Sequence, residues 1–266
     1  MTFKNICIII FMLLSTISNS FASIFDPKGY ISIYQKNVFI YSFFIMLIVV
    51  IPAIIMSLYF AIKYNENKNN KYSPNWNNSF KLELIIWGIP IIIIIFLSYI
   101  SLISTHKIEP SKNIHFKNVK PLEIEVIALD WKWLFVYPKE NVFTINQIVI
   151  PVNTPIKLKI TSENIMNSFF IPSLGSQIYA MPNMYSKLNL MAKYTGCYEG
   201  ISSNYSGKGF SNMKFITIVT PNKLIFKKWL IKTKKYCNRE NITNIFHKSE
   251  NHPIEYFSYK LKNNIT

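Results

Sequence analysis

The sequence predicts a membrane-anchored protein: an N-terminal signal, a two-helix transmembrane hairpin, and an extracytoplasmic all-β domain closed by a helix and a tail. Three observations carry that expectation. Hydrophobic residues make up 50% of the 266 and charged residues only 16%, too apolar a balance for an ordinary soluble domain. The apolar residues gather in runs within the first hundred or so positions. Beyond them, the hydrophobic period changes to the alternation of half-buried strands.

The first run sits in MTFKNICIIIFMLLSTISNSFAS. Lys4 supplies a positive leading region, ICIIIFMLL is a short apolar core, and Ser20-Phe21-Ala22 has the small-x-small form of a cleavage site. The core is too short to span a bilayer, so residues 1–22 are expected to be a signal peptide cut near Ala22. An uncleaved third helix is the competing reading. The second and third runs, 38–62 and 84–104, are uncharged and long enough to cross about 30 Å of hydrocarbon. Each holds a proline, Pro52 and Pro90, which spanning helices tolerate when neighbouring groups satisfy the freed carbonyl. The connecting loop, 63–83, is short and carries Lys63, Lys68, Lys71 and Lys81, which predicts a cytoplasmic loop. The hairpin with its flanks occupies 23–105, and the chain from 106 onward returns to the outer side.

Within that outer part, 122–138, 146–153, 155–162, 186–193 and 213–220 alternate with period two and are separated by Pro, Asn and Gly turns, the pattern of a β-sandwich or barrel over 106–222. Thr220-Pro221 then opens an expected helix, with Thr as cap and Pro in the first position. Lysines 232, 234 and 235 follow in its last turns, where cations suit the helix dipole. Residues 223–266 form this C-terminal helix and an aromatic-rich tail. In the helix, Leu224, Trp229 and Leu230 interleave with lysines, so it either lies on anionic headgroups or packs on the sandwich with a solvated basic face.

The formal charge is +16. Residues 106–266 hold 22 Lys and Arg against 10 Asp and Glu. A basic excess can signal nucleic acid, but no recognition-helix or RNP-type pattern accompanies it, so nucleic acid is excluded as a partner. Three cysteines, Cys7, Cys197 and Cys237, are too few for a disulfide framework. Cys197 and Cys237 are read as free or buried thiols, with pairing in an oxidising compartment as the alternative.

The stretches SIFDPKG, LIVVIPAI, KYSPNWNNS, WGIPIIIIIFLS, HKIEPSK, ALDWKWLFVYP, MNSFFIPSLGSQIYAMPNM, GISSNYSGKGFSNMKF and IEYFSYKLK together resemble subunit II of the haem-copper terminal oxidases. They are most similar to the cytochrome bo-type ubiquinol oxidase branch, and they span nearly the whole chain. The resemblance implies a cupredoxin-like fold for roughly 120–222, a bacterial inner-membrane location with the C-terminal domain in the periplasm, and partnership with subunit I and other oxidase subunits. It places the haems, the copper and the oxidation of ubiquinol in subunit I, with membrane lipids around the helices.

In relatives that oxidise cytochrome c, the fold holds a dinuclear copper site. Its ligands are a His before one loop, then Cys-x-x-x-Cys, His and Met in a second loop, with a Glu carbonyl between the cysteines. Carried onto this sequence, the first His falls at Asn167, the Cys positions at Ile201 and Tyr205, the Glu at Ser203, the second His near Gly209 and the Met at Met213. A copper pair requires soft thiolates and imidazoles, so these positions are read as vestigial and non-binding, and no cofactor is expected on this chain. The resemblance also matches Trp131 to the electron entry point of cytochrome c oxidases. Without copper behind it, the Asp130-Trp131-Lys132-Trp133 run is read as strand aromatics packing on the membrane surface or subunit I. A basic domain repels basic cytochrome c, so cytochrome c is not expected as a partner.

Glu83, in FKLELIIW at the cytoplasmic end of the second spanning helix, is an ordinary interfacial charge by sequence alone. The resemblance implies a role for it in admitting protons to subunit I. Two other functions compete with the quinol-oxidase expectation: a copper-bearing cytochrome c oxidase subunit II, and a membrane-anchored β-domain that binds a partner without oxidase activity.

Overall fold

The computed structural model describes residues 25–64, 79–114, 116, 119–236 and 255–258. The expected signal peptide with Cys7, most of the loop between the apolar runs, Cys237, and three histidines (His115, His247 and His252) lie outside the described residues. The chain divides into two compact units, one of Gln35–Glu109 and one of the residues up to Tyr34 together with those from Pro110 onward.

The first unit is built on two helices, α1 (Tyr30–Lys63) and α2 (Phe80–Lys107). Both exceed the expected 38–62 and 84–104, reaching about 51 Å and 42 Å at 1.5 Å per residue. Each is long and apolar enough to cross a membrane. Of their side chains only Ile31 and Ser32 at the start of α1 and Ser104 near the end of α2 are buried. Isoleucine, leucine and phenylalanine cover the rest of the surface, which is stable only in an apolar medium or against other protein. The start of α1 is tied into the second unit. The Lys28 and Gly29 amides donate to the Ser173 carbonyl at 2.8 and 3.1 Å, and the Tyr30 amide donates to Met191 at 2.9 Å.

The second unit is a two-sheet sandwich. Its strands are β1 (Leu122–Leu129), β2 (Lys132–Tyr137), β3 (Val142–Ile145), β4 (Gln147–Pro151), β5 (Ile156–Ser162) and β6 (Asn167–Phe170). They continue with β7 (Ile178–Ala180), β8 (Ser186–Leu190), β9 (Gly196–Ser202) and β10 (Lys214–Thr220), followed by α3 (Lys223–Tyr236) and β11 (Glu255–Ser258). One sheet has the order β11-β3-β2-β1-β5-β8 and the other β4-β10-β9-β6-β7. The expected strand 122–138 is in fact two, because Asp130 and Trp131 form a turn that reverses the chain and pairs Leu129 with Lys132. The helix begins later than Thr220-Pro221 suggested: the Phe226 amide donates to the Asn222 carbonyl at 3.2 Å, and Thr220 is still in β10.

Alternation is plain where one strand face is covered. In β5, Ile156, Leu158 and Ile160 point inward while Lys157 and Lys159 point outward. The sheets meet through rings. Trp133 and Phe135 of β2 face Phe169 of β6 and Phe215 of β10, with centroids 5.2–6.3 Å apart. A second clasp joins the sheets at β4, where the Tyr137 hydroxyl donates to the Val149 carbonyl at 3.0 Å and accepts from the Val149 amide at 2.9 Å. Burial pushes the Tyr137 phenol well above its ordinary value.

Tyr137→Phe should lower stability by about 1–3 kcal/mol, because both Val149 backbone groups lose a buried partner. The phenol stays neutral in the folded chain but ionises near pH 10 when unfolded. Its contribution is therefore complete below about pH 10 and is lost as pH rises above that value. Urea unfolding of the full chain in detergent checks both points: the gap between wild type and Tyr137→Phe should narrow in the alkaline range.

Candidate functional site

Three segments converge at one end of the sandwich: the Asp130-Trp131 turn after β1, the 163–166 loop leading into Asn167, and the long 203–213 loop between β9 and β10. Strand pairing brings them together. The Ser203 amide donates to Ser168 at 3.0 Å, the Ser202 amide to Met213 at 3.2 Å, and the Glu163 amide to Ala128 at 3.0 Å. The Asn204 side-chain amide adds a bond to the Met166 carbonyl at 3.2 Å.

The inward side chains are Asn167, Ser202, Ser206 and Met213, all buried. The Ser202 hydroxyl donates to Asn167 Oδ1 at 3.2 Å, and Asn167 Nδ2 donates to the Ile165 carbonyl at 3.1 Å. Ser203, on the outer side, donates to the Ser168 hydroxyl at 3.1 Å. Of the positions expected at this site, Asn167 and Met213 are brought together. Ile201 faces away from Ser202 on β9, and Tyr205 is 75% exposed with its ring against Phe210. The buried side chains are instead Ser202 and Ser206, one residue further along and also four residues apart. Asn204 and Phe210 stand at the same one-residue offset from Ser203 and Gly209. The register was open to a physical reading. Glu199 and Lys214 must face water, and a period of two then turns Tyr198, Gly200, Ser202 and Phe215 inward.

Trp131 closes the site. Its backbone is left-handed, φ 52°, a conformation a bulky residue adopts only when its surroundings impose it. The indole lies on Gly207 and Gly209. A Cβ on Gly209 would come 2.3 Å from Trp131 Cγ. Trp131 is therefore a turn residue packed on the second loop, not the strand aromatic expected from sequence. Beside it is a cavity of about 10 Å³ shared by Asp130, Trp131, Ser162, Asn167 and Ser206. The Ser206 hydroxyl is buried there without a hydrogen-bond partner among the described residues.

Hydroxyl and amide oxygens are hard, neutral donors, and a thioether alone is a weak one. This donor set does not fit a dinuclear copper centre, which needs thiolate and imidazole. Among the described residues, no three His, Cys, Asp or Glu converge to hold a metal ion. Cys197 is exposed on β9, and His106 lies in the last turn of α2. Glu83 lies in the first turn of α2, exposed, its amide donating to the Ser79 carbonyl at 3.0 Å.

The family model for the periplasmic domain of cytochrome c oxidase subunit II matches residues 116–220. A cytochrome bo(3) ubiquinol oxidase subunit 2 of Buchnera aphidicola subsp. Schizaphis graminum (strain Sg) is 48% identical over 266 residues, covering 98% of this chain and 91% of the relative. One from Pseudomonas putida is 46% identical over 240 residues, covering 89% and 76%. Among solved structures, the periplasmic domain of subunit II of cytochrome oxidase from Bradyrhizobium japonicum is 24% identical, with 42% of this chain and 91% of that one covered at a TM-score of 0.40.

Gly209→Ala should destabilise the chain by about 1–3 kcal/mol through overpacking. The cost should largely vanish in a Trp131→Ala background, where the obstructing ring is gone. A four-variant unfolding series measures this, and equal costs in both backgrounds would show that the indole is not the obstacle.

Proposed function

This chain belongs to the family of ubiquinol oxidase subunit 2, within the cytochrome c oxidase subunit II family, and from that premise we propose that it is a subunit without a redox centre of its own. The complex it serves passes electrons from ubiquinol to oxygen and translocates protons. The observation that carries the proposal is the Asn167–Ser202 hydrogen bond, flanked by Ser206 and Met213, at the convergence of the loops. Where a copper relay would need soft ligands, this chain has a self-contained polar network. Asn167, Ser202, Asn204, Ser206, Phe210 and Met213 are the vestigial positions in this reading.

Electron transfer then belongs to subunit I, with its haems, copper and quinol. This chain contributes two bilayer-spanning helices and a periplasmic domain that braces and covers that subunit. The exposed apolar surfaces of α1 and α2 are the contact surfaces for lipid and for other oxidase subunits. The basic outer domain, +12 between residues 106 and 266, disfavours docking of a basic cytochrome.

Glu83 is the side chain we assign to proton uptake. Its exposed carboxylate stands at the cytoplasmic end of α2, where a proton from bulk water would first meet the complex. Exposure and position within hydrogen-bond reach of solvent are the properties this role needs.

Three tests check these assignments. Copper-loaded full-length chain should hold no stoichiometric copper pair by elemental analysis, and membranes with the complex should consume oxygen with ubiquinol but not with reduced cytochrome c. Glu83→Gln keeps shape and hydrogen bonding but cannot exchange a proton. Assembly and haem content should be normal with turnover reduced several-fold, while Glu83→Asp retains most activity. Wild-type turnover in Glu83→Gln, or loss only through failed assembly, would remove the assignment.

A further inference from the structure

A cleft of about 470 Å³ lies between α3 and the adjoining edge of the sandwich, away from the loop site. Its floor is apolar, made by Leu122 at the start of β1 and by Phe226 and Leu230 of α3. Its rim is basic: Lys120 stands on one side, and Lys223, Lys227 and Lys234 on the other. The three helical lysines are at i, i+4 and i+11, within about 40° of one line along the helix. None of these four lysines makes an ion pair among the described residues, whereas Lys139, also on the rim, pairs with Glu123 at 3.2 Å. Glu140 is the one acidic residue of the lining.

Packing does not account for this surface. Helix α3 already buries Phe226, Leu230 and Thr233 against the sandwich. Ile231 nevertheless lines the cleft at 67% exposure. An exposed isoleucine between aligned lysines costs solvation without a packing return. Lysine stems can lie along apolar surface while their ammonium groups gather around an anion. The volume is that of a small-molecule site, and its makeup of apolar floor and few convergent charges is what such sites use.

We propose that this cleft binds an anionic amphiphile, an acyl chain ending in a carboxylate or phosphate, with the chain on Phe226, Leu230 and Ile231 and the head held by Lys120, Lys223, Lys227 and Lys234. Charge complementarity selects the occupant. A zwitterionic or neutral head leaves four ammonium groups uncompensated, and a small anion without a chain leaves Ile231 in water. A free fatty acid and an anionic phospholipid share this chemistry.

The assembled oxidase in phosphatidylcholine nanodiscs is treated with a diazirine-bearing dodecanoate, irradiated, and its labelled peptides are mapped. Saturable labelling within residues 223–234 is expected, competed by unlabelled laurate and not by dodecyl maltoside or inorganic phosphate. Further competition by phosphatidylglycerol assigns the site to anionic lipid, and competition by laurate alone assigns it to free fatty acid. Lys227→Glu/Lys234→Glu and, separately, the exposed-site change Ile231→Asp should each reduce labelling at least five-fold with haem content unchanged. Labelling that persists in both variants, or competition by phosphate alone, would overturn the proposal. So would absence of α3 labelling in the assembled complex, which would mean that a protein segment covers the cleft.

Discussion

Everything in the β-sandwich depends on four rings wedged between the sheets. Trp133 and Phe135 come from one sheet, Phe169 and Phe215 from the other, and Phe169 stacks on Phe215 at 5.0 Å and 13°. Such contacts add directional preference to a large burial of apolar area, so they fix both the spacing of the sheets and their lateral alignment. The cluster also dictates a residue that looks unconstrained in sequence. A Cβ on Gly200 would lie 2.1 Å from Phe215 Cζ, so the strand opposite the ring must carry glycine there. Because Phe169 sits two residues after Asn167, and Phe215 two after Met213, the rings also set where the loop site begins. With the period of two, burying those rings turns Asn167 and Met213 inward as well.

The large features were legible in the sequence because each is a long, redundant signal. Two uncharged runs of more than twenty residues survive any single substitution as evidence of a spanning helix, and the alternation in IKLKITS fixes both strand and face. What was not legible is short or context-bound. Strand β6, NSFF, is buried on both faces for three residues and so shows no alternation. Strand β7 is only three residues long. The Asp130-Trp131 turn carries neither Gly nor Pro and breaks the strand by placing a tryptophan in the left-handed region, which no propensity favours. Its stability comes from Gly207 and Gly209, nearly eighty residues further along the chain.

The loop site shows the same division. That the two loops meet, and that Asn167 and Met213 belong to the meeting, followed from sequence resemblance. Which neighbouring side chains turn inward did not, because the loop is rich in small polar residues that look alike one position apart. Tyr205 is a sizeable aromatic, yet it is exposed, while Ser202 and Ser206 are buried. The deciding constraint was electrostatic: Glu199 cannot face the ring cluster, and that fixes the phase of β9.

A buried serine must be answered by a partner, or it costs about 1–3 kcal/mol. Ser202 has Asn167; Ser206 has none among the described residues. Three further buried polar atoms, Trp133 Nε1, Gln147 Oε1 and Thr217 Oγ1, are likewise unanswered there, and Trp133 belongs to the ring cluster itself. The domain can bear these costs because the cohesion comes from elsewhere, through the rings and the Tyr137 clasp, with no contribution required from the loop end. Sheets locked by their own side chains do not need the polar groups of the loop end to hold them together. That independence is what allows a polar hydrogen-bonded network to occupy this end of the sandwich.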